Sequence, residues 1–120
     1  MHKDVFDYMS NDFSDVGNRL MPLFDELGID LVLTGHLHTY RNRGRIFNFD
    51  RSPRGAVYIL TGLSGDVRYP GLWIDHALDE VIAPQPETDN YLTLEVDGDA
   101  LDVRCFLPDG TEIDRVEIRN

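Results

Sequence analysis

Two histidines, His36 and His38, stand one residue apart directly after a short apolar run, and imidazole side chains bind zinc, iron and manganese. The run Ile29–Thr34 predicts a strand buried on both faces, as in a layered α/β sheet. Ligands of open α/β sheets bind at the carboxyl ends of strands, and Gly35 permits a turn that directs both imidazoles to one site. Taken alone, the pattern also fits two exposed loop histidines that bind nothing.

The region before these histidines has the pattern of a helix. Apolar residues recur at helical spacing over residues 12–27. Pro22 lies inside this pattern and predicts either a kink or a helix that starts late, with Pro22 in its first turn. Gly28 is placed to end the helix. His2 lies further upstream, where another strand would end, and the order helix, tight turn, strand is half of a layered α/β unit.

The region after the histidines begins with a polar, arginine-rich stretch over residues 39–54. The β-branched and apolar run 56–61 predicts a second strand of the same sheet. Scattered glycine and proline over residues 62–86 predict a long loop, with one helical turn near 74–81.

The last thirty residues contain three alternating runs, at 91–96, 101–107 and 112–118. The segments 97–99 (Asp-Gly-Asp) and 108–110 (Pro-Asp-Gly) separate them and are strong turn signals. These runs predict an antiparallel β-meander. The predicted fold class is therefore α/β, with an antiparallel β end.

Five other side chains leave two interpretations open. The cluster of Arg41, Arg43 and Arg45 fits phosphate binding, because guanidinium forks match phosphate, and it also fits a solvated loop that balances nearby acids. Tyr40 either packs against the loop that carries the histidines or contacts a substrate. His76 is either a further metal ligand or an ordinary loop or helix histidine. In each case the structural role is favoured.

Composition limits the classes of protein to which the chain can belong. Its 120 residues suit a single domain, 1–120, and no run of about 18 apolar residues is present to span a membrane. The formal net charge of −11 repels nucleic acid phosphates and anionic lipid headgroups, so neither a nucleic-acid-binding nor a membrane surface is expected. Cys105 is the only cysteine, which excludes an internal disulfide.

The order of these parts resembles the calcineurin-like metallophosphoesterases and, among them, the purple acid phosphatases. The resembling segments are Gly35-His36-Leu37-His38 with Tyr40 after it, the run from Gly55 to Gly65, and the meander sequences 91–96 and 109–114. The resemblance runs from His2 to about Ile118. It implies that the chain is the C-terminal half of a four-layer αββα metallophosphoesterase sandwich that ends in an antiparallel β-meander.

The resemblance also implies a two-metal site that hydrolyses phosphoesters. His2 and His36 would bind one metal, and His38 would bind the other. The implied cofactors are two divalent or trivalent transition metal ions, with iron, zinc and manganese as candidates, and the implied partner is a phosphoester substrate. A metal pair about 3.5–4 Å apart lowers the pKa of a bound water and stabilises an in-line displacement.

The sequence departs from the family in two respects that affect function. Between Lys3 and His36 it has none of the additional histidines that purple acid phosphatases use for substrate contact or acid catalysis. The family's early motifs Asp-x-His, Gly-Asp and Gly-Asn-His, which supply the bridging carboxylate and other ligands, are absent. The chain is therefore interpreted as part of an enzyme whose N-terminal half is missing, and the isolated chain is expected to be inactive. The alternative is a non-catalytic α/β module that binds metal weakly or serves as a structural or interaction domain.

Overall fold

The first regular element in the described part of the chain is a helix, α1, which spans Asp15–Leu27. The computed structural model describes residues 4–7, 9–35, 37–61, 74–85 and 87–119. The hydroxyl oxygen of Ser14 accepts a hydrogen bond from the backbone N–H of Gly17 and stabilises the helix start. Gly28 ends the helix in the left-handed conformation, with φ 68° and ψ 39°, which confirms its predicted role.

Pro22 lies in the interior of α1, and the predicted late start at this residue is wrong. The helix begins well before the proline because Ser14 caps it there. Pro22 and Asn18, one turn earlier, are both exposed, so water can hydrate the Asn18 carbonyl that receives no N–H from the proline. No helix of the described residues is long and apolar enough to cross a membrane.

The first sheet contains five strands of the described chain. They are β1 (Leu31–Thr34), β2 (Arg41–Phe47), β3 (Asp50–Arg51), β4 (Ala56–Leu60) and β5 (Val81–Ile82). The order is β1-β4-β2-β3, and β5 pairs with the other end of β2. β1 runs parallel to β4, whereas β2 runs antiparallel to it. The prediction that the runs 29–34 and 56–61 form strands of one sheet is confirmed.

Two expectations about this sheet are wrong. β1 is not buried on both faces, because it forms an edge of the described sheet and Leu33 is 43% exposed. The helical turn expected near 74–81 is a reverse turn, in which the Asp79 N–H donates to the His76 carbonyl, followed by β5. The section of the predicted loop at 62–73 lies outside the described residues.

The second sheet is the predicted meander, which the structure confirms. It contains β6 (Tyr91–Asp97), β7 (Ala100–Phe106) and β8 (Glu112–Arg119), all antiparallel, in the order β6-β7-β8. Gly98 has a positive φ of 60° in the two-residue turn between β6 and β7, where glycine avoids the steric cost of a side chain.

The strand β4 divides the core because its successive side chains point to opposite faces. Ala56 and Tyr58 face a cluster that includes Met21 of α1. Val57 and Ile59 face a cluster that is completed by meander residues. The described elements therefore form a helix layer and two sheet layers, which is consistent with the α/β class. That the chain is the C-terminal half of a four-layer αββα sandwich remains a prediction.

Candidate functional site

The chain between Thr34 and Arg41 crosses the carboxyl end of β4. Thr34 ends β1 and Arg41 begins β2, and both pair in register with Leu60 on opposite sides of β4. The Thr61 N–H donates to the Thr34 carbonyl at 2.9 Å, which extends the ladder past the strand ends. A Cβ at Gly35 would lie 3.3 Å from the Thr61 carbonyl oxygen, so glycine suits this close approach. The segment that joins β1 to β2, which contains the His-x-His sequence, therefore begins and ends beside the carboxyl end of β4.

The three predicted metal ligands differ in what the structure describes. His38 is half-buried in this connection. His2 and His36 lie outside the described residues, so their convergence with His38 stays a prediction. Within the described ranges, no group of three His, Cys, Asp or Glu side chains is placed to hold a metal ion.

Asp4 is a buried carboxylate that contacts the end of β1. Its Oδ1 accepts hydrogen bonds from the Thr34 hydroxyl at 3.0 Å and from the Val5 N–H at 2.8 Å. Its backbone carbonyl accepts a hydrogen bond from the Ser14 hydroxyl at 2.6 Å. Asp4 therefore joins the N-terminal segment both to the start of α1 and to the carboxyl end of β1.

The guanidinium of Arg43 completes the environment of Asp4. Its two terminal nitrogens donate to the two carboxylate oxygens of Asp4, each at 2.8 Å, and its Nε donates to Asp79 at 2.7 Å. The guanidinium also lies 4.2 Å from the ring centroid of Phe6. Burial opposes its charge, but the hydrogen bond and charge of Asp4, and then those of Asp79, raise the pKa of Arg43.

The expected solvation is wrong, and the expected balance with nearby acids is confirmed, for Arg41 and Arg43. They are 5% and 3% exposed, so they are not solvated, and their charges are already paired. Arg41 donates to Asp79 at 3.0 Å and forms an ion pair with Asp75 at 3.1 Å. Because these carboxylates neutralise the two guanidinium groups, neither is available to a phosphate in the described arrangement. β2 consequently folds as a buried strand although its sequence is polar.

A second carboxylate holds the chain immediately after His38. Glu87 accepts a hydrogen bond from the Thr39 hydroxyl through Oε1 and from the Tyr40 N–H through Oε2, both at 2.7 Å. Asn90 donates to the same Oε2 at 3.2 Å. Glu87 thus fixes the two residues that connect His38 to β2.

Tyr40 packs in the core between the two sheets, and its expected packing against the loop that carries the histidines stays a prediction. Its hydroxyl donates to Asp114 of β8 at 2.6 Å, and Asn42 donates to the same carboxylate oxygen at 2.9 Å. Burial, followed by the hydrogen bond and charge of Asp114, raises the pKa of Tyr40. This hydrogen bond connects the strand after the histidines to the meander.

His76 is a buried histidine in the turn before β5, and its ring packs against other side chains, as expected for an ordinary loop histidine. Its Nδ1 accepts a hydrogen bond from the Leu78 N–H at 3.0 Å, and its ring lies 4.0 Å from the ring of Phe6. Burial lowers the pKa of His76, against the opposing influence of the Asn11 backbone and the Asp79 charge.

Two cavities lined by described residues differ in size and in position. A space of about 10 Å³ remains among Asp4, Thr39, Arg43 and their neighbours, room for no more than one water. A cleft of about 620 Å³ lies elsewhere, between β2 and β8. Its Arg45 donates to the Gly55 carbonyl, and its Arg115 donates to Asp102, so these guanidinium groups already have partners.

The chemistry of the available donors fits a metal only in part. The imidazole of His38 suits a transition metal. The buried carboxylates Asp4 and Asp79 both accept hydrogen bonds from Arg43, which occupies oxygens that a metal would need. The described residues therefore offer an imidazole donor at the strand ends, and no group of three metal-binding side chains forms among them.

Comparisons with known proteins point to one family. Purple acid phosphatase 15 of Arabidopsis thaliana is 38% identical over 61 residues, which are 51% of this chain and 11% of that protein. Purple acid phosphatase 23 of the same plant is 32% identical over 56 residues, which are 47% of this chain and 12% of that protein. No family model matches the chain.

A third similar protein is purple acid phosphatase 18 of Arabidopsis thaliana, which is 38% identical over 48 residues. These 48 residues are 40% of this chain and 11% of that protein. The chain thus spans about a tenth of the length of the curated relatives it matches. These similarities support a purple acid phosphatase-like metallophosphoesterase relationship.

Proposed function

We propose that this chain contributes histidine ligands to a dinuclear metal site that hydrolyses phosphoesters. The observation that supports the proposal is that the strand ends on both sides of the His-x-His sequence pair with the carboxyl end of β4, in a chain similar to purple acid phosphatases. In this proposal His2 and His36 bind one metal and His38 binds the other. When bound, the two ions, with iron, zinc and manganese as candidates, would polarise the phosphoester and lower the pKa of a bound water.

The other residues of the site have a supporting role. Glu87 fixes the backbone after His38, and Asp4 fixes the carboxyl end of β1 before His36. The space of about 10 Å³ among Asp4, Thr39 and Arg43 is too small for a phosphoester, so the substrate would bind elsewhere. Neither Arg41 nor Arg43 would bind its phosphate, because both are buried and paired.

The proposal requires residues beyond this chain. Two cations a few ångströms apart repel each other strongly, and bridging carboxylates offset that repulsion. The sequence lacks the three motifs that supply such carboxylates in the family, and Asp4 and Asp79 are engaged by Arg43. We therefore propose that the N-terminal half of a catalytic domain completes the site, and that the isolated chain is inactive.

A second candidate function is a non-catalytic module that binds metal weakly. The pairing of Asp4 and Asp79 with Arg43 favours it for the isolated chain, because it removes two buried carboxylates from metal binding. The two candidates predict different behaviour once the missing motifs are supplied. Only the enzymatic one predicts metal-dependent turnover by a longer chain that carries them.

Hydrolysis of an aryl phosphate in the presence of added metal distinguishes these candidates. The isolated chain should hydrolyse it no faster than a variant in which His36→Ala and His38→Ala are combined. A longer chain that carries Asp-x-His, Gly-Asp and Gly-Asn-His motifs should be active, and the same double replacement should abolish its activity. Circular dichroism of each variant controls for folding. Turnover by the isolated chain that is lost in the double variant would contradict the need for missing carboxylates.

A further inference from the structure

The cleft of about 620 Å³ between β2 and β8 lies on the side of the first sheet that faces the meander. Clefts of this size hold small organic molecules in many proteins. The valines Val57, Val81 and Val116 form apolar parts of its wall, and charged side chains lie around them. None of the described residues between Thr34 and Arg41 lines the cleft, so these residues do not contribute to it.

A β-bulge in β2 turns the side chain of Arg45 towards this cleft. The ladder with β4 shifts register between Asn42 and Gly44, so that Arg43 is an extra residue, and Gly44 permits the bulge with a φ of 66°. Side chains alternate along a strand, and without the bulge Arg45 would share the face of Arg43. Instead, Arg45 is opposite Val57, whose side chain faces the meander. Bulges that redirect a side chain in this way occur next to binding sites.

The charge of Arg45 is not neutralised by any carboxylate of the described residues. Its guanidinium donates to the Gly55 carbonyl at 2.9 Å, which is a neutral group, and the side chain is half-buried. The other two arginines of the cleft, Arg51 and Arg115, form ion pairs with acidic side chains at 3.5 and 3.0 Å. A half-buried guanidinium with further N–H groups to donate suits a carboxylate, which it can bind through two parallel hydrogen bonds.

Asp114 carries the opposite charge in the same cleft. Its Oδ2 accepts hydrogen bonds from the Tyr40 hydroxyl at 2.6 Å and from the Asn42 amide at 2.9 Å, and its Oδ1 accepts one from the Arg115 backbone N–H at 2.9 Å. All three donors are neutral, and Asp114 forms no ion pair with any residue that the structure describes. These bonds therefore fix the carboxylate in position and leave its charge without a cation.

The two unpaired charges are separated by a distance that a short ligand can span. Asn42, which donates to Asp114, is opposite Ile59 of β4, and Arg45 is opposite Val57, two residues away on the same strand. A strand advances by about 3.3 Å per residue, so these positions lie roughly 7 Å apart. Two extended residues of a peptide span about 7 Å as well.

We propose that the cleft between β2 and β8 binds a small zwitterion with an apolar body, of the class of a short peptide with free ends. Arg45 binds its carboxylate, Asp114 binds its ammonium group, and the three valines contact the apolar part. The cleft is lined by three carboxylates in all, which disfavour a ligand that is only anionic. This binding site goes beyond the proposed phosphoester hydrolysis and does not depend on it.

Three forms of one dipeptide test whether both charges are recognised. Leu-Leu carries both charges at neutral pH, N-acetyl-Leu-Leu keeps only the carboxylate, and Leu-Leu amide keeps only the ammonium group. Each is titrated into the isotope-labelled 120-residue chain, and the shifts of backbone amide signals give the affinity and locate the site. We expect Leu-Leu to bind on the order of tenfold more tightly than either blocked form. Equal affinity for the three forms, or no saturable shift with any of them, would overturn the proposal.

Two variants assign each charge to its partner. Arg45→Met removes the guanidinium and keeps an apolar chain, and Asp114→Asn removes the charge while its oxygen can still accept the hydrogen bond from Tyr40. Arg45→Met should weaken Leu-Leu binding on the order of tenfold, so that it binds Leu-Leu and Leu-Leu amide alike. Asp114→Asn should bind Leu-Leu and N-acetyl-Leu-Leu alike. If either variant keeps the wild-type preference among the three forms, the assignment of these residues is refuted.

Arg54→Met is the matched control, because Arg54 does not line the cleft and its guanidinium lies over the ring of Phe47 at 4.4 Å. It removes one arginine charge and should leave the Leu-Leu affinity unchanged. A loss as large as that in Arg45→Met would mean that net charge controls binding, and it would refute the role of Arg45. Circular dichroism reports the folding of each variant, and the comparison of the three dipeptide forms on the wild type decides the proposal even where a variant unfolds.

Discussion

Two arginine–aspartate pairs with similar geometry occur in very different surroundings, one in each sheet. Arg43 donates two hydrogen bonds to Asp4 at 2.8 Å, and Arg115 donates two to Asp102 at 3.0 and 3.1 Å. The side chains of the first pair are 4% and 1% exposed, whereas that of Arg115 is 50% exposed. The same two-hydrogen-bond pairing of arginine with aspartate is therefore buried beside the candidate site and exposed to water on the meander.

The difference indicates what each sheet requires for its stability. The meander is specified by alternating side chains and tight turns, and solvent screens its Arg115–Asp102 pair, so the loss of this pair has little consequence. The first sheet contains a polar strand, β2, in its interior. That strand can be buried only if every charged side chain has a partner of opposite charge, so removal of one partner leaves an unpaired charge in the interior.

The largest expected effect is the loss of stability in Arg43→Met. Methionine fills much of the arginine volume, but Asp4 would lose its buried cationic partner, and Asp79 would keep only Arg41. We expect the free energy of unfolding to fall by about 3–5 kcal/mol, as for other buried ion pairs that lose one member. Urea unfolding followed by circular dichroism measures this change.

Arg115→Met is the corresponding change in the exposed pair, and it should produce no measurable loss of stability. Equal losses in the two variants would contradict the comparison, because they would mean that burial does not distinguish the pairs. A neutral or stabilising Arg43→Met would mean that Asp4 and Asp79 accept protons or hydrate readily once the arginine is gone.

The sequence specified the meander and the strands β1 and β4 well, because each follows from a local pattern. Gly28 was predicted from the end of the helical periodicity and adopts the expected left-handed conformation. β2 was missed as a strand because its arginines suggest an exposed loop when the neighbouring residues alone are considered. The charges that permit its burial are distant in sequence, with Asp4 and Arg43 separated by 39 positions.

The candidate site shows the same division between local and distant information. The His36–His38 motif and its place after a strand could be predicted, since a short pattern and one glycine indicate them. The carboxylates that hold this connection could not, because Glu87 lies 48 positions from Thr39. The alternation of arginine at Arg41, Arg43 and Arg45 was a signal for a strand, but nothing nearby in the sequence identified the partners.

A smaller effect is expected where the two sheets are joined by Tyr40. Tyr40→Phe removes the hydroxyl that donates to Asp114, a hydrogen bond to a charged group. Because Asn42 still donates to the same carboxylate, we expect the lower end of the usual range, a loss of about 1.5 kcal/mol in the free energy of unfolding. Urea unfolding of the variant checks this value.

Tyr58→Phe is the matched control for this bond. Tyr58 is as buried as Tyr40, but its hydroxyl has no hydrogen-bond partner in the part of the chain that the structure describes. Removing a buried, unpaired hydroxyl should leave stability unchanged or raise it. A larger loss in Tyr58→Phe than in Tyr40→Phe would show that the Tyr40–Asp114 bond does not join the sheets energetically.

The smallest expected effect concerns pH, and it again separates the two sheets, because the meander contains no histidine. Burial lowers the pKa of His76 in the folded chain, whereas an unfolded histidine has a pKa of about 6.5. Below about pH 6.5 the unfolded chain therefore binds a proton that the folded chain excludes, and stability falls as pH decreases until the folded pKa is reached. Above about pH 6.5, where the imidazole is neutral in both states, His76 contributes no pH dependence to the free energy of unfolding.

His76→Asn tests this sign, because the asparagine oxygen can accept the hydrogen bond from the Leu78 N–H that Nδ1 now accepts. At pH 7.5 the variant should be the less stable protein, since it loses the ring contact with Phe6. Between pH 7.5 and 5.5 the wild type should lose up to about 1 kcal/mol more than the variant, so the difference between them narrows. Urea unfolding at several pH values measures it, and the other three histidines are common to both proteins. A difference that widens towards low pH would mean that the charge of Asp79 outweighs burial and stabilises the imidazolium. The region beside the candidate site would then hold a further paired cation, instead of a neutral ring packed on Phe6.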